Sequence, residues 1–267
     1  MPLLKKSKVQ VLDHGYVSYI NSMGDEESII EAARQSTTGA FVSWDPYEGH
    51  PKGDEGLLGR LYKDRHSTPF EMCELLVEMQ TPLFVVREIQ RHRTFSFNEQ
   101  SGRYVQIPDI HYVPVPKRLV KQSKTNKQAS SVEMVRLDLA EQIVRDLEAD
   151  QKRVYSNYQW MLDIGLAREL ARLNTPLSRY TRFRMKGNLR NWLHFLNLRL
   201  RADVQEETRL FAEEVAKIVK ELWPKTWALF EEWDLHALTL SRTQAEEYRA
   251  FTASEEFKQW KSSRTLV

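Results

Sequence analysis

At 267 residues, 41% hydrophobic and 28% charged, the chain is long enough for a core without staples and falls outside the disordered and collagen-like classes. One cysteine, Cys73, excludes an intrachain disulfide, and no window approaches the roughly eighteen apolar residues of a membrane span, so a cytoplasmic protein is expected. The formal net charge is only +2, but it is uneven: Arg168 to Arg201 holds nine Lys and Arg against one acid, Glu169, a bias that favours an anionic ligand.

Residues 8–20, with Val9, Val11, Val17 and Tyr19 on a partly alternating face, predict a β segment. Asp25-Glu26-Glu27-Ser28 opens a helix to about Gln35, its acids in the first turn where the helix dipole favours them. Residues 36–53 read as a loop whose Trp44, Tyr47 and His50 form a lid or simply pack. A helix over 54–65 follows, and Gly53, Gly56 and Gly59 lack the Lys-Ser or Lys-Thr of a P-loop. It stops at His66-Ser67-Thr68-Pro69-Phe70-Glu71, where proline drives the preceding residue out of the helical region. Residues 73–80 predict a strand in which Cys73, Leu75, Val77 and Met79 alternate across Glu74 and Glu78, which places the thiol in a core. Thr81-Pro82 reads as the cap and first residue of a helix carrying Val85, Val86 and Ile89, with Arg87 and Arg91 on one face.

That helix leads into Arg91-His92-Arg93-Thr94-Phe95-Ser96-Phe97-Asn98-Glu99-Gln100-Ser101-Gly102-Arg103-Tyr104, which holds three guanidiniums, an imidazole and a single carboxylate. Arginine offers a planar fork of donors that matches phosphate, and Ser101-Gly102 lets backbone N–H groups approach the same oxygens. A solvated basic loop is the plainer reading of the same composition. Residues 104–107 are expected to return as a strand, and 107–128, with Pro108, Pro114 and Pro116, to form an exposed, mobile connection. A long amphipathic helix over 130–162, a break at Gly165, a short helix over 167–173, a strand over 180–184 and helices over 188–199, 204–222 and 243–261 complete the chain. No internal repeat or domain boundary is visible: one domain over 1–267 is expected, with a motif core at 66–201 and a helical extension at 235–267.

Arg-His-Arg, seven residues, Ser101 and then Gly102-Arg103-Tyr104 resembles the signature of the flavin-dependent thymidylate synthases. His66-Ser67-Thr68-Pro69-Phe70-Glu71 is similar to a second element of that family, and Asn188-Leu189-Arg190 with Leu196-Asn197-Leu198-Arg199 to a third. The resemblance implies an α+β single domain, a small mixed or antiparallel sheet packed with several long helices, assembled as a homotetramer with active sites at subunit interfaces. It implies reductive methylation of dUMP to dTMP, with the carbon from methylenetetrahydrofolate and the reducing equivalents from NADPH through FAD. By the same resemblance Arg91, Glu99, Gln100, Ser101, Gly102, Arg103, Arg172 and Arg199 hold dUMP. His66, Thr68, Arg91, His92, Arg93, Glu99, Asn188, Arg190 and His194 seat FAD, and Arg199 is the catalytic group at the uracil ring. Glu88 stands where the family usually has Gln, and no cysteine here suits the nucleophile of the unrelated thymidylate synthase class.

Without the resemblance, the 188–199 helix still carries information. At about 100° per residue, Leu189, Leu193, Leu196 and Leu200 form its buried stripe, Arg190, His194 and Arg201 form another face, and Arg199 sits roughly 140° from His194. The two polar faces then serve different pockets of an oligomer or opposite sides of one pocket at a subunit junction. Seven histidines include no pair three or four apart, so no metal site is expected. A single-strand nucleic-acid binder is the rival reading, since arginine interleaved with aromatics also stacks bases, but no RNP, KH or zinc pattern accompanies it.

Overall fold

The computed structural model describes residues 7–37, 39–127 and 130–264. Strands β1 (Lys8–Val11) and β2 (Gly15–Met23) form a hairpin where the sequence predicted one segment. The turn at 12–14 puts Leu12 at φ 58°, an uncommon conformation for leucine that no Gly or Asn signals. Helix α1 (Glu26–Arg34) starts at Asp25, whose Oδ1 accepts from the Ser28 N–H at 2.9 Å while the Ser28 Oγ accepts from the Asp25 N–H at 3.3 Å. Helix α2 (Gly53–Lys63) follows a loop that is fastened rather than hinged. The buried Asp54 carboxylate accepts from the Arg34 guanidinium, Tyr47 Oη and the Val42 N–H, and Tyr47 stacks on His50. Tyr47 and His50 thus pack on each other, and Trp44 packs on Phe41.

Strand β3 (Glu74–Pro82) absorbs the Thr81-Pro82 pair that predicted a helix start; Pro82 itself is the extended cap of α3 (Leu83–Ile89). Because α3 ends at Ile89, Arg91 lies on the turn beyond it and does not share a helix face with Arg87. Strand β4 (Ser96–Glu99) lies inside the polar motif, and the return strand predicted over 104–107 is irregular chain. The connection expected to be mobile contains β5 (Val120–Gln122), which pairs with β6 (Ser130–Met134). It is pinned by Arg118, whose Nε and Nη2 meet the buried Glu207 carboxylate at 2.8 and 3.0 Å; its last residue, Gln128, lies outside the described residues. Helix α4 (Leu137–Asp163) therefore begins seven residues later than predicted. Then come α5 (Arg168–Ala171), β7 (Tyr180–Asn188), α6 (Leu189–Arg199), α7 (Glu206–Leu222) and α8 (Pro224–Phe230).

The five strands run antiparallel in the order β1-β2-β3-β7-β4, which resolves the mixed-or-antiparallel expectation. Register pairs Val77 with Met185 and Met79 with Phe183, all buried, while Glu78 pairs with Arg184 on the polar face. The buried face is covered by Trp192, Phe195 and Leu196 of α6 and by Phe211, Val215 and Val219 of α7. Each such side chain contributes roughly 1.5–3 kcal/mol by leaving water. The buried stripe of α6 is wider than leucine spacing indicated, since Trp192 and Phe195 join it and Leu200 is only half-buried.

The larger compact unit ends at Phe230 and a smaller one begins at Glu231. The smaller holds α9 (Arg242–Ala253), capped reciprocally by Ser241 and Gln244, and α10 (Glu255–Arg264). The single helix predicted over 243–261 is broken at Ser254, which is extended at ψ 153°.

Candidate functional site

Helix α6 delivers Arg199 at its last residue. The Arg199 Nε donates to Nε2 of His92 at 3.0 Å, Nη1 to the Glu88 carboxylate at 3.3 Å and Nη2 to the Glu88 carbonyl at 3.1 Å. A guanidinium has five N–H donors, so these three leave two for a ligand. Glu88 is itself held by Thr208 Oγ1 of α7 at 3.2 Å. Burial, reinforced by the charges of Arg199 and His194, pulls the His92 pKa down to about 4. The ring is therefore neutral near pH 7, and the bond from Arg199 assigns its proton to Nδ1.

Arg91, His92, Arg93, Thr94, His194, Leu198 and Arg199 line a cavity of about 530 Å³. A second cavity of about 800 Å³ shares Arg91, Leu198 and Arg199 with it and adds Glu88, Lys117, Arg118 and Arg201. One cavity thus takes both His194 and Arg199 despite their separation around the helix. Arg199 belongs to the lining common to both.

The rest of the motif is elsewhere. Strand β4 runs along β7 from the Ser96–Lys186 pair to the Glu99–Phe183 pair, and Gln100 continues it by donating its N–H to the Arg182 carbonyl at 2.8 Å. Phe95 approaches β7 over Gly187, where a Cβ would lie 2.5 Å from its ring. Thr181 Oγ1 donates to the Glu99 carboxylate at 2.8 Å. Beyond β4 the chain turns, with the Ser101 Oγ accepting from the Arg103 N–H at 3.2 Å. Gly102 is buried, and a Cβ there would stand 3.0 Å from Ile107 and 3.4 Å from Cδ of Arg172. Arg172 therefore lies alongside the Gly102 backbone, while Arg103 pairs with Glu169 in the open at 3.1 Å. None of Glu99 to Arg103, nor Arg172, lines either cavity around Arg199.

His66 and Thr68 are exposed at the start of the 3₁₀ turn Thr68–Met72. That turn is tied to α6, because Arg190 Nη1 donates to Glu71 at 2.9 Å and the Leu189 N–H to the Cys73 carbonyl at 2.8 Å. The Asn188 Oδ1 caps α6 by accepting from the Asn191 N–H at 3.0 Å, which leaves its amide N–H₂ for other partners. Cys73 is fully buried, its thiol donates to the Asp25 carbonyl at 3.2 Å, and burial pushes its pKa up to about 12, so it holds its proton. Among the described residues no cluster of His, Cys, Asp or Glu is arranged to hold a metal ion, and no helix is long and apolar enough to cross a membrane. Three groups went unread in the sequence. Thr181 holds Glu99, Thr208 holds Glu88, and Arg179 keeps a buried Nε with no hydrogen-bond partner among the described residues.

Residues 18–225 match the family model described as thymidylate synthase complementing protein. A flavin-dependent thymidylate synthase of Rickettsia prowazekii is 38% identical over 88% of this chain and 81% of its own length, and one of Thermus thermophilus 39% identical over 96% and 90%. The chain belongs to the flavin-dependent thymidylate synthase family. Among solved structures, the UMP/dUMP methylase PolB from Streptomyces cacaoi, bound with 5-Br dUMP, aligns with a TM-score of 0.73 and 31% identity over 85% of this chain and 99% of PolB. The same methylase bound with 5-Br UMP aligns equally well. In this family member, then, the signature is divided by β4 into an Arg91–Thr94 half beside Arg199 and a Gln100–Arg103 half whose Gly102 lies beside Arg172.

Proposed function

We propose that the chain catalyses reductive methylation of dUMP to dTMP in the cytoplasm, taking the carbon from methylenetetrahydrofolate and the reducing equivalents from NADPH. The observation that carries this reading is Arg199: a guanidinium fixed by Glu88 and His92, with two N–H donors unspent beside a cavity rich in cations. Such a fork suits the N3–C4 carbonyl edge of uracil, where negative charge must be stabilised for C5 to attack without a cysteine. Loss of one preorganised donor of this kind typically costs about 2.7–4 kcal/mol of barrier. Arg91, Glu99, Gln100, Ser101, Gly102, Arg103 and Arg172 hold the nucleotide, with Ser101-Gly102 and Arg172 at its phosphate.

We assign FAD to His66, Thr68, Arg91, His92, Arg93, Glu99, Asn188, Arg190 and His194, of which Arg91, His92, Arg93 and His194 line the cavity beside Arg199. The roughly 530 Å³ cavity has the volume of a cofactor site, and its guanidiniums and neutral imidazole suit an anionic, ring-bearing molecule. When bound, FAD would supply the redox chemistry that links NADPH to reduction of the one-carbon unit. The protein residues orient it and carry charge.

Because Arg199 and the Ser101–Arg172 group do not line one cavity within a chain, we assign the complete site to a junction between chains of a homotetramer. Leu139, Ile143 and Leu147 recur every fourth residue on α4 with more than a third of each exposed, a stripe suited to a second copy of the chain. We assign the activity to one domain with its motif core at 66–201, to which α9 and α10 belong as a C-terminal extension. Tritium released from [5-³H]dUMP, dependent on both NADPH and methylenetetrahydrofolate, tests the assignment. A yellow protein that releases none would refute it, and a colourless preparation carrying nucleic acid would favour the single-strand binder.

A further inference from the structure

Helix α7 carries one residue out of keeping with its buried face. Phe211, Val215 and Val219 form an apolar stripe at helical spacing, and Thr208, three residues before Phe211 and fully buried, continues it with a hydroxyl. A buried hydroxyl is costly unless it is hydrogen-bonded, and here its partner is the Glu88 carboxylate on α3 at 3.2 Å. The same carboxylate oxygen, Oε2, accepts from Nη1 of Arg199 at 3.3 Å. Thr208 thus sets the oxygen on which the Arg199 fork rests.

What sets Thr208 is the residue before it. The N-cap of α7, Gln205, makes no side-chain hydrogen bond to the helix, so the first turn is held from outside. Glu207 stands about 100° around the helix from Thr208 and meets the 107–128 connection instead of α3. Its side chain is 4% exposed and its carboxylate takes three donors: Nε and Nη2 of Arg118 at 2.8 and 3.0 Å and Oη of Tyr112 at 2.9 Å. A guanidinium gripping both oxygens fixes direction as well as distance. Tyr112 is anchored in turn, its N–H donating to the Ser178 carbonyl at 2.8 Å and its own carbonyl accepting from Nε2 of Gln151 on α4 at 3.0 Å. Burial, with the Glu207 charge beside it, raises the Tyr112 pKa, so the phenol keeps its proton and donates. A path of hydrogen bonds, with one step along α7, therefore runs from α4 through Tyr112, Glu207, Thr208 and Glu88 to Arg199.

We propose that Glu207 is a positioning residue for Arg199: clamped by Arg118 and Tyr112, it fixes the first turn of α7 so that the Thr208 hydroxyl holds the Glu88 carboxylate against the guanidinium. This rests on the reading of Arg199 as the group that stabilises charge at the uracil ring, and it deepens that reading by naming what keeps the group still. Glu207 lines neither cavity, so it acts on the reaction only through its neighbours. A preorganised donor that loses its brace loses stabilisation of the transition state, so the cost falls on kcat and not on substrate binding.

The test is a double-mutant cycle on kcat for dTMP formation by the FAD-loaded protein at saturating cosubstrates. Thr208→Val keeps the side chain's shape and removes the hydroxyl; Glu207→Gln removes the charge and leaves Glu206, 3.3 Å from Arg118, as the counterion of that arginine. Each alone should lower kcat about tenfold, with KM for dUMP within about threefold of wild type and flavin content unchanged, and Thr208→Ser should restore about half the wild-type rate or more. Because both act on Arg199 by one path, the double variant should be about tenfold slow and not a hundredfold. A wild-type kcat in Glu207→Gln, losses that multiply in the double variant, or losses confined to KM would overturn the proposal. If Glu207→Gln takes up no flavin, Tyr112→Phe decides, since it removes one bond to Glu207 and leaves the Arg118 pair. A kcat about two- to threefold lower, with no further loss in the Thr208→Val background, supports the proposal; a wild-type rate, or the same loss in both backgrounds, overturns it. An Arg199→Lys variant as fast as wild type would instead strike the reading of Arg199, and this proposal with it.

Discussion

The two halves of the signature handle positive charge in opposite ways. Around Arg199 it is compensated in advance: a carboxylate, a carbonyl and a neutral imidazole take three of the five donors, and Thr208 steadies the carboxylate. Around Gly102 it is exposed instead: Arg103 pairs with Glu169 in the open, and Arg172 lies beside a backbone that carries no side chain. The difference separates two tasks. A group that stabilises charge developing during a reaction gains from being immobile beforehand, whereas a group that captures a dianion gains from charge not yet neutralised.

The largest effect is expected where the fixed half is broken. Arg199→Lys keeps a charge but loses the Nε bond to His92 and the planar fork, so dTMP formation at saturating dUMP should fall by about 100-fold or more while FAD content stays near wild type. Colourless protein would move Arg199 into the flavin site, and a wild-type rate would remove its catalytic role. In the open half, Ser101→Ala should weaken dUMP binding by about 1.5–3 kcal/mol without loss of flavin, measured by titration of the FAD-loaded protein. Lost flavin with unchanged dUMP affinity would reassign the residue.

Glu88→Gln sharpens the contrast. The side chains of the Glu88–Arg199 pair are 31% and 18% exposed, and an amide oxygen can still accept from Nη1, so the rate should stay within about fivefold of wild type. A collapse of the rate with flavin retained would make the carboxylate itself part of the chemistry. Smallest of all, Cys73→Ala should cost about 1–2 kcal/mol of stability in denaturant titration and leave turnover intact, because the thiol is buried and protonated. A folded, yellow and inactive variant would contradict the cysteine-free mechanism.

What could be read from the sequence divides along the same line. Helices α1, α2 and α6 carry their caps or periodicity locally, and the alternation of Leu75, Val77 and Met79 announces β3 and the burial of Cys73 with it. Strand β4 could not be read, because Ser96-Phe97-Asn98-Glu99 has no strong alternation and becomes a strand only through its pairing with β7. Strand β6 was merged into α4 because Met134 and Leu137 stand at helical spacing; Val132, fully exposed, gives that strand no buried face to signal it. Of the fixed half, Arg199 and His92 were named in advance, Glu88 entered only as a departure from a pattern, since its bond to Arg199 spans 111 residues, and Thr208 was not read at all. What could not be read was the surroundings of Gly102, which Ile107 and Arg172 create only on folding.

The division of one site between chains is tested most directly by mixing its two broken halves. Arg199→Lys and Arg172→Met are each expected to be nearly inactive alone. If one chain supplies Arg199 and its partner supplies Arg172, co-expression should restore dTMP formation to roughly a quarter of wild type, because half of the sites receive an intact Arg199 and half of those an intact Arg172. Mixed oligomers, verified by two affinity tags, that remain as inactive as either parent would contradict the account and return both arginines to a site within one chain.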